Sequence, residues 1–159
     1  MLANFEQTQS GYIARFERRF RHEAQDVWAM LTDNEKLTQW FGELRVEELR
    51  EGGAMLFDMG DGAFERMTIM AMTPQAVLEY EWGEDRVRFE LEPQDEGSSL
   101  ILIETIGTVT AHTARDLAGW QVCLDVIAAL LDGRPIPQRK EEWARQYAEY
   151  AKLTESYLA

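Results

Sequence analysis

Cysteine is almost absent from this chain: among 159 residues only Cys123 carries a thiol. No disulfide can close within one copy, and no cysteine zinc cluster can be built. Histidine is nearly as scarce, with His22 and His112 alone. Both fall at the starts of predicted elements in polar surroundings, which suits solvated or capping roles. Neither belongs to a His-Glu-x-x-His pair or another metal spacing, and no Gly-x-Ser-x-Gly nucleophile elbow occurs. Gly60-Asp61-Gly62 reads as a turn and lacks the glycine spacing that cradles a pyrophosphate. Nothing in the sequence calls for a metal or cofactor. Basic residues are few: 16 Lys and Arg stand against 29 Asp and Glu, a net charge of −13. Such a field repels phosphate backbones and anionic headgroups, so nucleic-acid binding and electrostatic membrane docking are disfavoured. Long apolar runs are missing too. The longest, Val126 to Leu131, is far short of the roughly 20 residues that span a bilayer. The opening "MLANFEQTQSGY" has no positive n-region and no apolar h-region, so the expectation is a cytoplasmic protein.

What is present is an ordinary globular balance, 45% hydrophobic and 28% charged, in a chain long enough for one domain with a real core. The expectation is a single domain over 1–159, with 1–10 a loose polar start. "GYIARFERRF" alternates: Tyr12, Ala14, Phe16 and Phe20 share one face, Arg15, Glu17, Arg19 and Arg21 the other. That is a strand with one wet side, interrupted by Arg18 on the apolar side. The period then changes. Val27, Trp28, Met30 and Leu31 cluster at helical spacing, and Thr32 with Glu35 forms a capping-box pattern that starts a second short helix, ended by Gly42. From Arg45 to Gly107, turn signals recur about every ten residues, the rhythm of an antiparallel meander of six further strands. Val87, Phe89 and Leu91 alternate with Arg86, Arg88, Glu90 and Glu92, so the sheet is dry on one side only.

"AGWQVCLDVIAALLDG" (118–133) reads as a helix with an unusually thin polar side. At 100° per residue, Gln121, Asp125 and Asp132 fall on one narrow stripe. Leu117, Trp120, Val122, Cys123, Leu124, Val126, Ile127, Leu130 and Leu131 fill an arc of roughly 220°, about twice what a helix on a flat sheet needs. A curved sheet gripping the helix would satisfy that arc. After "DGRPIP", a last helix over about 138–155 places Trp143, Tyr147, Tyr150 and Leu153 three or four apart in a charged segment.

The order of elements resembles the START-like, or SRPBCC, helix-grip superfamily, and within it the activator of heat shock protein 90 ATPase homologue family. The resemblance is carried by "VWAMLTDNEKLTQWFG", "REGGAMLF", "AVLEYEW" and "GWQVCLDVIAALLDGRP", with "WARQYAEYAKL" similar to a tail of longer bacterial members. Together these cover about residues 12–153. The resemblance implies an α+β fold: a curved seven-stranded antiparallel sheet wrapped around a long C-terminal helix, two short helices after the first strand, and an extra C-terminal helix. It also implies a cavity between sheet and helix that holds a lipid, hormone or polyketide in some members and does cyclase chemistry in others. The eukaryotic co-chaperones that give the family its name carry an additional N-terminal docking domain.

Cavity-lining candidates are Trp40, Phe57, Tyr80, Trp82, Phe89, Trp120, Cys123, Leu124 and Ile127. Cys123 has no histidine or cation beside it in sequence and reads as a small apolar residue. Glu104 shares a face with Leu100, Leu102 and Ile106, as Arg18 does with Phe16 and Phe20. Two readings stand for that pair of charges: a structural ion pair or bulge at a sheet end, or a polar anchor for a ligand. Arg15, Arg18, Arg19 and Arg21 form a basic cluster, a solvated strand face or a dock for an acidic partner. Three functions follow: non-catalytic binding of a small hydrophobic or amphipathic molecule, a co-chaperone-like role with a chaperone partner, or a cyclase or dehydratase using Glu104 or Tyr80.

Overall fold

The structure, a computed structural model, describes residues 2–159. In chain order it contains β1 (Asn4–Thr8), β2 (Gly11–Phe20), α1 (Ala24–Thr32), α2 (Asn34–Trp40), β3 (Leu44–Glu48), β4 (Ala54–Asp58), β5 (Phe64–Thr73), β6 (Val77–Trp82), β7 (Asp85–Gln94), β8 (Gly97–Ile106), α3 (Ala111–Asp132) and α4 (Arg139–Thr154), with a closing 3-10 turn at Glu155–Tyr157. The strands form a large antiparallel sheet in the order β1-β2-β8-β7-β6-β5-β4-β3. This is the helix-grip arrangement expected, with eight strands in place of seven. The additional strand is β1, inside the segment read as a loose start. It is an edge strand whose side chains are mostly exposed, so it needs no apolar alternation and leaves little periodic signal.

Two compact units make up the chain. One comprises the residues up to Phe16 together with Ile103–Ala159, the other Glu17–Leu102. In the first, β1 and β2 form a hairpin in which Phe5 pairs with Ala14 and Thr8 with Gly11. Gly11 has φ +154°, and a Cβ there would strike the carbonyl of Ile106, so the hairpin tolerates only glycine at that place. Phe5, Tyr12 and Tyr157 pack as a trio with ring centroids 5.4 to 5.6 Å apart. Helix α3 starts at Thr110, whose side chain accepts from the His112 amide and completes a capping box with Thr113. It stops at Gly133 in the left-handed conformation.

The thin polar stripe of α3 meets protein at Gln121, while Asp125 is half-buried and Asp132 exposed. Gln121 is 2% exposed, and the hydroxyl of Tyr150 on α4 donates to its side-chain oxygen. The same hydroxyl accepts the Ala3 amide at 2.7 Å, and Thr154 donates to the Tyr150 carbonyl at 2.9 Å. A buried amide side chain is tolerated on α3 because α4 supplies its partner.

In the second unit, β3 to β7 form the expected meander. Asp33, not Thr32, caps α2: its carboxylate accepts the Glu35 amide at 3.0 Å. Thr32 is the last residue of α1 and its hydroxyl donates back to Trp28 O at 2.8 Å. With Thr32 committed to α1, the adjacent aspartate takes the capping place. The Trp40 indole donates to Met30 O at 2.6 Å, tying the end of α2 to α1. The Asn34 amide brackets Val46, donating to its carbonyl at 3.0 Å and accepting from its N–H at 2.7 Å, which fixes α2 on β3.

Candidate functional site

Six aromatic side chains converge in the Glu17–Leu102 unit. Trp40 closes α2, and Phe41 follows it in extended backbone at φ −144°. Phe57 comes from β4, Tyr80 and Trp82 from β6, and Phe89 from β7. Register sets the strand residues: Leu44 pairs with Phe57, Leu78 with Phe89, and Tyr80 with Val87. Alternation then aims Phe57, Tyr80, Trp82 and Phe89 to the sheet face that carries Met55, Leu78 and Val87.

Within the cluster, three rings form a closed triangle. Phe41 lies 5.9 Å from Phe57 and 5.7 Å from Trp82, and Phe57 lies 6.0 Å from Trp82. All three contacts are edge-on, with interplanar angles of 74° to 82°, the geometry that ring quadrupoles favour. Trp40 contacts Phe41 at 6.0 Å, Tyr80 contacts Trp82 at 6.5 Å, and Phe89 contacts Tyr80 at 6.3 Å. Exposure separates the two sets. Trp40, Tyr80 and Phe89 are each 1% exposed, whereas Phe41, Phe57 and Trp82 are half-buried. A sealed aromatic floor therefore supports three rings that retain accessible surface.

Five of the sequence-derived candidates, Trp40, Phe57, Tyr80, Trp82 and Phe89, thus fall in one cluster. Phe41, which completes the triangle, is not among those candidates. Helical spacing groups it with Leu37 and Trp40 on the buried side of the second short helix, and the structure places it just past that helix in extended backbone. Its signal was the Trp-Phe-Gly ending of α2. Trp120, Cys123, Leu124 and Ile127 lie on successive turns of α3, all buried. Arg139, the first residue of α4, approaches Cys123, Nη2 lying 3.6 Å from Sγ. A cation remote in sequence is therefore near the thiol in the fold. Glu104 lies on the buried side of β8, 1% exposed, as the alternation predicts. Arg18 is half-buried and its Nη1 donates to Glu17 O at 2.8 Å. Arg15, Arg19 and Arg21 are exposed.

Elsewhere in the same unit, a groove of about 500 Å³ runs between residues 21–25 and 93–97, with Gln75 at its side. Its lining mixes Arg21 and His22 with Glu23, Asp95 and Glu96, so it presents no single sign of charge. Among the described residues, no group of three or more His, Cys, Asp or Glu side chains is arranged to hold a metal. No helix among them is long and apolar enough to cross a membrane.

Comparison with known proteins gives the following. The sequence profile of a family described as activator of Hsp90 ATPase homolog 1-like protein matches residues 21–132. No curated protein matches the chain. Among solved structures, a conserved protein of unknown function from Enterococcus faecalis superimposes with a TM-score of 0.86 at 23% identity, covering 99% of this chain and 92% of that one. CalU16 from Micromonospora echinospora gives 0.72 at 20% identity, covering 94% of each chain. A protein from Bordetella parapertussis gives 0.73 at 23% identity, covering 95% and 91%. At these identities the likeness is one of fold.

Proposed function

The chain belongs to the activator of Hsp90 ATPase homolog 1-like family, and from that premise we propose that it is a non-catalytic binder of a small hydrophobic or amphipathic molecule. The observation that supports this reading is the triangle of Phe41, Phe57 and Trp82, half-buried over a sealed aromatic floor. Rings held in mutual edge-on contact cannot collapse further, so their remaining apolar surface is buried only when something lands on it. Each Å² so covered is worth roughly 25 cal/mol before ordering costs. The flanking aromatics give the patch a fixed shape, which lowers the entropy lost on binding.

The test uses a neutral apolar dye such as Nile red, titrated into the intact protein and followed by its emission. Micromolar binding is expected, weakened about tenfold in Trp82→Ala and in Phe41→Ala, in line with the loss of one large ring contact. Circular dichroism checks that both variants fold. Absence of binding to the native chain, or binding untouched by both substitutions, would remove the reading.

The rival reading, suggested by the family's name, is a co-chaperone that stimulates a chaperone ATPase. It predicts a change in ATPase rate on addition of this protein, whereas the ligand reading predicts none. An enzymatic reading with Glu104 or Tyr80 as acid or base predicts turnover that Glu104→Gln or Tyr80→Phe abolishes.

A further inference from the structure

The two terminal strands of the sheet are finished differently. At β3 the outward backbone groups are taken up. Val46 donates its N–H to the Asn34 side chain at 2.7 Å and accepts from it at 3.0 Å, and the Leu44 N–H goes to Phe41 O at 3.2 Å. β1 stands at the other end of the strand order, and among the described residues no further strand pairs beyond it. The two-residue turn Gln9-Ser10 closes on the pair of Thr8 and Gly11. Backbone bonding alternates away from such a turn. Thr8, Glu6 and Asn4 therefore exchange bonds with β2, while Phe5 and Gln7 direct their N–H and C=O groups to the open side. Ala3 continues the outward series, and its N–H goes accordingly to the Tyr150 hydroxyl at 2.7 Å.

Apolar surface lies on this terminal strand. Phe5 stacks on Tyr12 with centroids 5.6 Å apart, and Tyr157 meets both rings at 5.4 Å. All three are half-buried, so the trio keeps surface that its own members do not cover. On the other face, β1 holds a single charge, Glu6. Asn4 shares the face of Glu6 and pairs with Arg15 of β2.

An open strand edge is a template for another strand, and β1 is self-complementary in one register. We propose that β1 is the docking edge for a second copy of this chain, joined antiparallel about a two-fold axis at Phe5. In that register Phe5 faces Phe5 of the second copy, an aromatic cross-strand pair that covers the free surface of both trios. Asn4 of each copy faces Glu6 of the other, so each amide donates to a carboxylate, with Arg15 on the same face one strand away. The outward groups of Phe5 and Gln7 gain backbone partners. Centring on Glu6 instead would set the two carboxylates directly opposite, which is destabilising. Centring on Gln7 would leave Phe5 facing the turn.

The test is sedimentation equilibrium of the intact protein from about 10 to 500 μM in 0.15 M NaCl. The native chain should show concentration-dependent dimerisation. Gln7→Pro removes an outward N–H without touching the bonds to β2, and should weaken association about tenfold because the loss counts once in each copy. Asn4→Asp sets two carboxylates face to face and should weaken it about fivefold. Adding Glu6→Lys to Asn4→Asp turns both contacts into opposite-charge pairs and should restore at least the native affinity. Circular dichroism checks that each variant folds, and where Gln7→Pro does not, the two charge variants carry the test. A native chain that stays monomeric over the whole range overturns the proposal. Association that neither Gln7→Pro nor Asn4→Asp weakens belongs to another surface and also overturns it. Failure of Glu6→Lys to rescue Asn4→Asp overturns the register centred on Phe5.

Discussion

Tyr150 shows how one residue can decide a local arrangement that periodicity alone leaves blank. It is fully buried, and its hydroxyl joins Ala3 to Gln121 on α3. Tyr150→Phe keeps the ring and its contact with Phe16, but withdraws the polar partner of both groups in a site closed to water. Leaving buried polar groups unsatisfied costs about 1–3 kcal/mol, more than the net worth of an ordinary hydrogen bond. Urea unfolding of Tyr150→Phe should show a loss in that range with little change in slope. Adding Gln121→Leu should recover part of it, because the buried amide that lost its partner is then gone. If the single variant unfolds like the native chain, the hydroxyl is not what secures α4. In the sequence, Tyr150 stood on the apolar side of its helix and Gln121 on the polar side of another. That these two would meet depends on how α4 turns back on α3, which neither helix encodes by itself.

At the scale of elements, apolar alternation was the reliable guide and polar punctuation was less so. The faces of β2, β7 and β8 emerge as their alternation predicts, down to the burial of Glu104. Helix α3 ends at Asp132 with Gly133 as its cap, as the stretch 118–133 implies, and begins ahead of that stretch at Ala111. The misreadings lie where polar residues compete for the same job. Thr32 and Asp33 are adjacent and either can cap a helix, and the sequence pattern favoured the threonine because Glu35 follows it by three. The structure gives the cap to Asp33 and turns the Thr32 hydroxyl back onto its own helix. Asp33→Ala should therefore destabilise by about 1 kcal/mol, the usual worth of such a cap. Thr32→Ala should stay within about 0.5 kcal/mol, since it removes a back-bond that helices do without. Chemical denaturation of the two variants side by side decides the matter, and the opposite ranking would restore the capping box at Thr32.

For the whole chain, charge was the most legible property and it carries a consequence for stability. With 29 acids against 16 bases, compaction crowds like charges together. Screening by salt should relieve that repulsion. Local pairs act in the other direction. Arg50 hydrogen-bonds Glu48 and adds its charge, holding that carboxyl below its ordinary value. A depressed carboxylate contributes stability above its unfolded value, which is lost as pH falls through the folded one. The pair is exposed, however, and such pairs are worth little. Glu90 foremost, then Glu79, raises Arg88 further above an already high value, so it stays charged throughout the accessible range. Repulsion should therefore win. At pH 7.5, raising NaCl from 10 to 300 mM should lift Tm by about 2–4 °C, equivalent to roughly 0.5–1 kcal/mol in a domain of this size. Near pH 4.6, where the chain carries no net charge, the same salt step should do almost nothing, because there is little net repulsion left to screen. Scanning calorimetry at the two pH values separates the possibilities. A fall in Tm with salt at pH 7.5 would mean that paired charges, such as the ladder of Arg86 and Arg88 on Glu79, outweigh the excess of acids. An equal rise at both values would point to general salting-out of apolar surface instead.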